Sequence, residues 1–484
     1  MKKIFLSLFI TTVLVPFEAE SQALIDTISL ASTEETSAEF CFNNTKLMAG
    51  NNISDRYLVY YNSDTIFLAI YQSGNWTRKT AYTGSNIKSA TLSFYKDTIW
   101  ICWKEGVISA QIKARFTPDK GNSWTSISPV SPVGKVAAPS IYAASNGKIH
   151  FVWSTESSTD TTVYHRVYSN GTFLASPYPL SNSNAQGLWP SVIAIGDTVL
   201  CTWKEGPLPT KVWFRSSFDG GASWNLLPSL PTTTLLPISK DPNLAYAYDS
   251  TTYSHYVYLA YDSQNKIYLQ RSTDLGNTWS PPDSVSNLNK LSQFAHIECN
   301  NQGFVGISYE QRPVGSSLYD DTKKDIGFTY STNWANSGSF SIDTFAYAHN
   351  GFGSAYPAFN KIDENNFYLA WLTKDTVADK MKIFERRVYF NNSTGIYNSE
   401  HNLNANIILF PNPANSLLNI VLNENILPAN KIIFYDVIGK EVKPVNIKSN
   451  GKYLQTDVSS LPKGIYHLTL QSGKMQYSKT FIIE

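Results

Sequence analysis

Lys104-Glu105-Gly106 recurs as Lys204-Glu205-Gly206, each triplet closing an apolar run (TIWICWKEG over 98–106, DTVLCTWKEG over 197–206). A carboxylate beside a lysine can act as general acid or base if its surroundings move its pKa. A repeated pair is more often a structural solution used twice. Glu156, Asp262, Glu310 and Asp375 follow similar runs, and residues 311–324 add Arg312, Asp320, Asp321, Lys323 and Lys324. Proton abstraction next to a uronate carboxylate needs a His or Tyr base, a proton donor and a cation. His296, His349, Tyr356, Arg312 and Lys240 are of those types, but no motif fixes them. Trp189 and Tyr356 could stack on the CH face of a sugar or pack against the prolines that follow them. The expected ligand-binding set is Trp189, Lys240, Asp241, Gln293, His296 and Phe352. No catalytic residue is fixed; Glu105, Glu205, Glu310, Arg312, His349 and Tyr356 are the candidates.

Composition narrows the classes. The net charge is +1 with no basic stripe, so nucleic acid and anionic membrane are poor partners. The four cysteines, Cys41, Cys102, Cys201 and Cys299, form no CxxC pair, and no metal or cofactor is expected. They read as buried thiols. Charged residues make up 16% and aromatics 14%, the balance of an all-β chain with an uncharged polar surface.

A hydrophobic strand recurs every 50 to 60 residues or so, at 98–106, 148–153, 197–206, 256–261, 304–309 and 367–371. Another strand precedes most copies, introduced by Pro139, Pro190, Pro242 or Pro357. A third follows, near Ile66, Ile108, Val163, Val212, Ile267, Ile326 and Ile383. After it comes a turn of the form Asp-x-Gly-x-Ser/Thr-Trp: Asp119, Gly121, Trp124; Asp219, Gly221, Trp224; Asp274, Gly276, Trp279. Each has Ser or Thr two residues before the Asp. The carboxylate suits the amides of a tight turn, Gly supplies positive φ and Trp packs beneath.

These turns resemble the Asp boxes (BNR repeats) of sialidase-like β-propellers. The expected fold is therefore all-β: a six- or seven-bladed propeller over 22–390, then a small C-terminal β-sandwich. Six blades would result if the first and last partial units closed one blade together. The resemblance implies that Asp boxes gather on one end and the ligand on the other. It does not carry sialidase activity. That chemistry needs an arginine triad, an acid and a Tyr nucleophile, and no Arg-Ile-Pro motif is present. Arg56 is the only arginine before Arg78, and Arg115, Arg215 and Arg271 fall on third strands.

The two ends speak of export. Met1-Lys2-Lys3, an apolar run over 4–15 and the small residues Ala19 and Ser21 read as a signal peptide over 1–21. No later segment has the length and apolarity of a transmembrane helix. An Asn/Ser-rich linker is expected over 391–406. From 407 to 484, FPNPANSLLNI, FYDVIGKEV and LPKGIYHLTLQSGKMQYSKTFIIE resemble the sorting domain of type IX secretion substrates of Bacteroidetes. The resemblance implies the secretion machinery as partner and a secreted or outer-surface location. The functional expectation is a glycan-binding or glycan-processing propeller meeting an extracellular glycan or protein. The alternatives are an exo-sialidase-like hydrolase and a polysaccharide lyase.

Overall fold

The computed structural model describes residues 22–25, 29–30, 46–62, 64–156, 161–182, 186–207, 209–225, 239–317, 323–341, 354–375, 380–391, 407–422, 431–436, 440–443, 445–450, 453–472 and 475–484. Outside them lie residues 1–21, 392–406, Cys41, Asp320, Asp321, His349 and Phe352. The chain divides into two units, 20–392 and 393–484.

Among the described residues, seven antiparallel sheets build the first unit. Blade 1 runs Met48–Asn52, Asp55–Tyr61, Thr65–Gln72 and Asn75–Thr83. The inner strands of blades 2 to 7 are Ile87–Tyr95, Val136–Ala143, Leu188–Ile195, Ser239–Asp249, Lys290–Cys299 and Ser354–Lys361. Each inner strand packs on the next, and that of blade 7 packs on blade 1. The ring therefore closes with seven blades. Ile108, expected on a third strand, is instead an exposed loop residue, and Ile112 takes the buried strand position.

The apolar runs are second strands, covered on both sides. In Thr198–Glu205, Val199, Cys201 and Trp203 pack toward blade 3 while Leu200 packs toward blade 5. Such a strand has no solvated face, so its sequence loses polar alternation. Cys102, Cys201 and Cys299 are buried in these seams.

Closure uses both ends of the unit. Gln22–Ile25 pairs with Lys380–Asn391 and becomes the outer strand of blade 7. Asn360 of blade 7 accepts the Leu47 and Met48 amides of blade 1 at 3.1 and 3.2 Å. Arg56 meets Glu385 in an ion pair with side chains 4% and 2% exposed, and Trp76 Nε1 donates to the same carboxylate at 3.1 Å.

The three aspartate turns connect third to fourth strand positions in blades 2, 4 and 5 and share one hydrogen-bond pattern. In blade 5, Asp274 accepts Thr278 N at 2.8 Å and Thr278 Oγ1 at 2.6 Å, while Ser272 Oγ accepts Gly276 N at 2.8 Å. Bonds from the Ser123 and Ser223 hydroxyls and amides hold Asp119 and Asp219 down to about 2. The glycines touch the preceding blade. A Cβ on Gly221 would come within 2.3 Å of His165, and one on Gly276 within 2.2 Å of Phe214. Trp224 and Trp279 cross the same rings edge-on at 5.0 and 5.2 Å. These turns are staples between blades.

The second unit has two four-stranded sheets. One holds Ile407–Phe410, Leu417–Leu422, Tyr453–Asp457 and Val445–Asn450. The other holds Glu441–Val442, Lys431–Asp436, Gly464–Ser472 and Met475–Ile483. Leu418, Ile420, Phe434, Leu468 and Phe481 fill the core of this small sandwich.

Candidate functional site

The inner strands share a defect. In blades 2 to 7 the pairing with the second strand slips at Lys88/Thr91, Ala137/Ser140, Leu188/Ser191, Lys240/Asn243, Gln293/His296 and Ala355/Ala358. At each slip one non-glycine residue adopts left-handed φ: Ser89 at 55°, Ala138 at 49°, Trp189 at 54°, Asp241 at 50°, Phe294 at 59° and Tyr356 at 56°. Such residues are uncommon, cost roughly 1–2 kcal/mol each and re-aim a side chain. Pro follows in blades 3, 4, 5 and 7, which accounts for the prolines that mark the repeat. All six slips lie at one end of the ring, opposite the aspartate turns, because antiparallel order puts the third-to-fourth turns at the far end.

Several of the expected site residues sit within strands. Trp189, Lys240, Asp241 and Gln293 belong to inner strands at the slip, and Glu310 and Arg312 to the second strand Val305–Pro313. Sequence cannot show the slip, because alternation predicts an unbroken strand there.

The structure brings most of them together over blades 4 to 7. Lys204 Nζ lies 4.5 Å from the Trp189 ring centre and Lys240 Nζ 5.6 Å from that of Phe294. Lys240 also meets Asp262 at 3.3 Å and Asp241 at 3.6 Å. Asp241 and Asp262 are 2% and 0% exposed. Burial raises the pKa of both, and the charge of Asp241 adds to the shift at Asp262. Gln293 Oε1 accepts Arg312 at 3.4 Å, while its amide donates to Asn265 at 2.9 Å. Glu310 accepts the Tyr356 amide at 2.8 Å and meets Lys324 at 3.7 Å. The sequence reading missed Phe294 and took Lys204 only as part of a repeated triplet. The signal for Phe294 is repeat position, since it aligns with Trp189 and Tyr356.

Three expected residues have surroundings of their own. His296 sits past the slip, in a small axial cavity with Lys46, Ser140, Ser191, Asn243 and Glu298. Burial lowers its pKa to about 4, so it is a neutral wall residue. Glu105 is tied between blades 1 and 2, accepting from Lys113 at 2.8 Å and Tyr82 at 3.0 Å. Its pKa is lowered because these bonds outweigh burial. Glu205 occupies the equivalent place but has Trp213 where Glu105 has Lys113. It accepts from Trp203 Nε1 at 3.1 Å, and burial raises its pKa to about 7. One repeated motif thus yields a fixed anion in one blade and a near-neutral acid in another.

The arginines of the third strands serve the frame. Arg115 donates to the Ala81 and Thr125 carbonyls, Arg215 to Leu180 and Asn225, and Arg271 to Trp334.

Comparison with known proteins fits these two units. Residues 408–484 match the family model described as a secretion system C-terminal sorting domain. The chain carries a type IX secretion address. The sorting domain means export, to the cell surface or beyond. No curated protein matches the sequence. Among solved structures, an ulvan lyase of polysaccharide lyase family PL25 superposes with a TM-score of 0.51 at 11% identity, covering 73% of this chain and 94% of the lyase. The same lyase bound to -[GlcA(1-4)Rha3S]- gives 0.51 at 12% identity with equal coverage. A Trypanosoma rangeli sialidase gives 0.41 at 8% identity, covering 94% of this chain and 89% of the sialidase. At these identities the likeness is one of fold. The unit ahead of the sorting domain is a β-propeller. Among the described residues, no helix is long and apolar enough to cross a membrane.

Proposed function

We propose that the exported propeller binds an extracellular glycan at the mouth over blades 4 to 7. We also propose a signal peptide over 1–21, the propeller over 22–390 with Asp-box repeats, a linker over 391–406, the sorting domain over 407–484, and a Bacteroidetes source. One observation carries the glycan reading. The equivalent strained position holds Ser89 and Ala138 in blades 2 and 3, but Trp189, Asp241, Phe294 and Tyr356 in the four consecutive blades that follow. Strain kept at one repeated position, with aromatic rings in three of those blades, suits CH–π stacking on sugar faces beside charged and amide hydrogen-bonding groups. His349 and Phe352 belong to the proposed site by sequence position.

Glycan processing has a narrower support. Glu205, buried and drawn to about 7, is a carboxyl that could exchange a proton near neutrality. The lyase fold likeness leaves uronate elimination as the second reading. An exo-sialidase has less behind it, because Arg115, Arg215 and Arg271 are committed to backbone carbonyls.

The test is a polysaccharide and glycan screen on the full secreted chain, reading binding and product together. Binding without product supports recognition alone. Unsaturated uronate or released sialic acid names an enzyme and ends the binding-only reading. Trp189→Ala and Tyr356→Ala should each weaken binding about tenfold, the loss of one stacking contact of about 1.4 kcal/mol.

A further inference from the structure

The seam between blades 5 and 6 leaves buried oxygen atoms without hydrogen-bond partners. They are both oxygens of Asp262, Oδ2 of Asp241, Oγ of Ser292 and Oε1 of Gln311; the two aspartates meet Lys240 as an ion pair, and Gln311 Nε2 also lacks a hydrogen-bond partner. Asp262, Ser292 and Gln311 are each 0% exposed. Such atoms are rare in folded proteins and call for a partner, an ordered water or an ion.

Strand parity places them together. Ala260 of blade 5 and Tyr309 of blade 6 share one core cluster between these blades. Asp262 and Gln311 each lie two residues further toward the mouth on their strands, so they face the same seam. Ser292 is the cross-strand partner of Gln311, and its amide donates to Asn265 of the blade 5 hairpin at 2.8 Å. Asp241 and Asp262 lie within hydrogen-bonding reach of each other, so without a guest the pair would share a proton.

Charge names the guest. Two buried carboxylates have one ammonium in ion-pair contact, that of Lys240 at 3.3 Å on the mouth side, while Lys204 acts on Asp241 from further off. One carboxylate is left without a contact cation of its own, and burying it so is costly. A proton on the pair would remove that charge but leave Ser292 and Gln311 unanswered. An oxygen-seeking cation answers all four groups, with two carboxylates, a hydroxyl and an amide oxygen as ligands. Among the described residues no three acidic, His or Cys side chains gather for a metal, so a site rich in His or Cys is not at issue here.

We propose that Asp241, Asp262, Ser292 and Gln311 form a calcium-class cation site that ties blade 5 to blade 6 beneath Lys240. The test uses the full chain at pH 7.5 with calcium chloride, against magnesium chloride and EDTA, reading calorimetric binding and thermal unfolding without glycan. The expected result is one calcium per chain and a raised unfolding midpoint. Gln311→Leu and Ser292→Ala should each weaken calcium binding at least tenfold, and Asp262→Asn should abolish it. Should Asp262→Asn fail to fold, the two neutral variants still decide. The proposal is overturned by an absence of calcium binding, or by binding that both neutral variants leave intact. A midpoint that rises toward acid pH and ignores calcium also overturns it, since the pair then holds a proton. None of these outcomes touches the glycan reading, which is assayed separately.

Discussion

Glu205 shows how much a single neighbour decides. Lys113 and Tyr82 keep Glu105 ionised, whereas Glu205 has Trp213 in place of the lysine and an indole N–H as its hydrogen-bond donor. Its pKa of about 7 lies above the ordinary 4.5. The folded chain therefore holds a proton that the unfolded chain releases between those values. Stability contributed by this group is full below about pH 4.5 and falls as pH rises toward 7. Denaturant unfolding across that window should show the fall in the wild type and a flatter profile in Glu205→Gln. Glu105→Gln should leave the fall in place. His150 and His165 act in the opposite sense. They touch at 3.1 Å in blade 3, and burial lowers His150 from 6.5 to about 3 and His165 well below 6.5. Stability held above pH 6.5 is thus lost as pH falls toward 3. His165→Phe should reduce that acid loss, read as the midpoint of acid unfolding.

At the scale of the element, the aspartate turn is a spacer cut to fit the next blade. Gly276 has φ of 92° and touches Phe214, whereas Gly74, with φ of 85°, has no atom within 4 Å of a built Cβ. Gly74→Ala should cost only the left-handed penalty, roughly 1 kcal/mol. Gly276→Ala adds a collision with a buried ring and should cost about 3 kcal/mol. Urea unfolding of the pair measures the difference, and equal costs would remove the staple account. These turns were fully legible in the sequence, because Asp, Gly and Trp at fixed offsets each have one structural use. The second strands were legible too, as apolar runs. The slip in the inner strands was not. It depends on a left-handed residue that can be Ser, Ala, Trp, Asp, Phe or Tyr, so no residue type announces it. That is why Phe294 was passed over.

For the whole molecule, a ring is as stable as its last seam. Gln22–Ile25 and the Arg56–Glu385 pair both bind blade 7 to its surroundings, and Arg56 also stacks on Tyr71 at 3.5 Å and Tyr368 at 4.2 Å. Arg56→Met leaves Glu385 buried without its charge partner and should cost roughly 3–5 kcal/mol. Arg56→Met with Glu385→Met should recover most of it, as a double-mutant cycle in urea would read. Seven-fold closure was only half legible, because the first strand and the last blade are some 360 residues apart in sequence. The sorting domain was legible throughout its matched length, since its motifs run in order from 408 to 484.

The central claim is that ligand binds at the slipped end of the ring and not at the end of the aspartate turns. The direct measurement is glycan binding by the full chain and two variants that alter one exposed or half-exposed aromatic at each end. Trp189→Ala changes the slipped end. Tyr253→Ala changes a side chain that is 77% exposed in a first-to-second hairpin at the opposite end. The account predicts that Trp189→Ala loses about tenfold in affinity while Tyr253→Ala binds like the wild type. Loss in Tyr253→Ala with full binding in Trp189→Ala would contradict it and move the site to the other face.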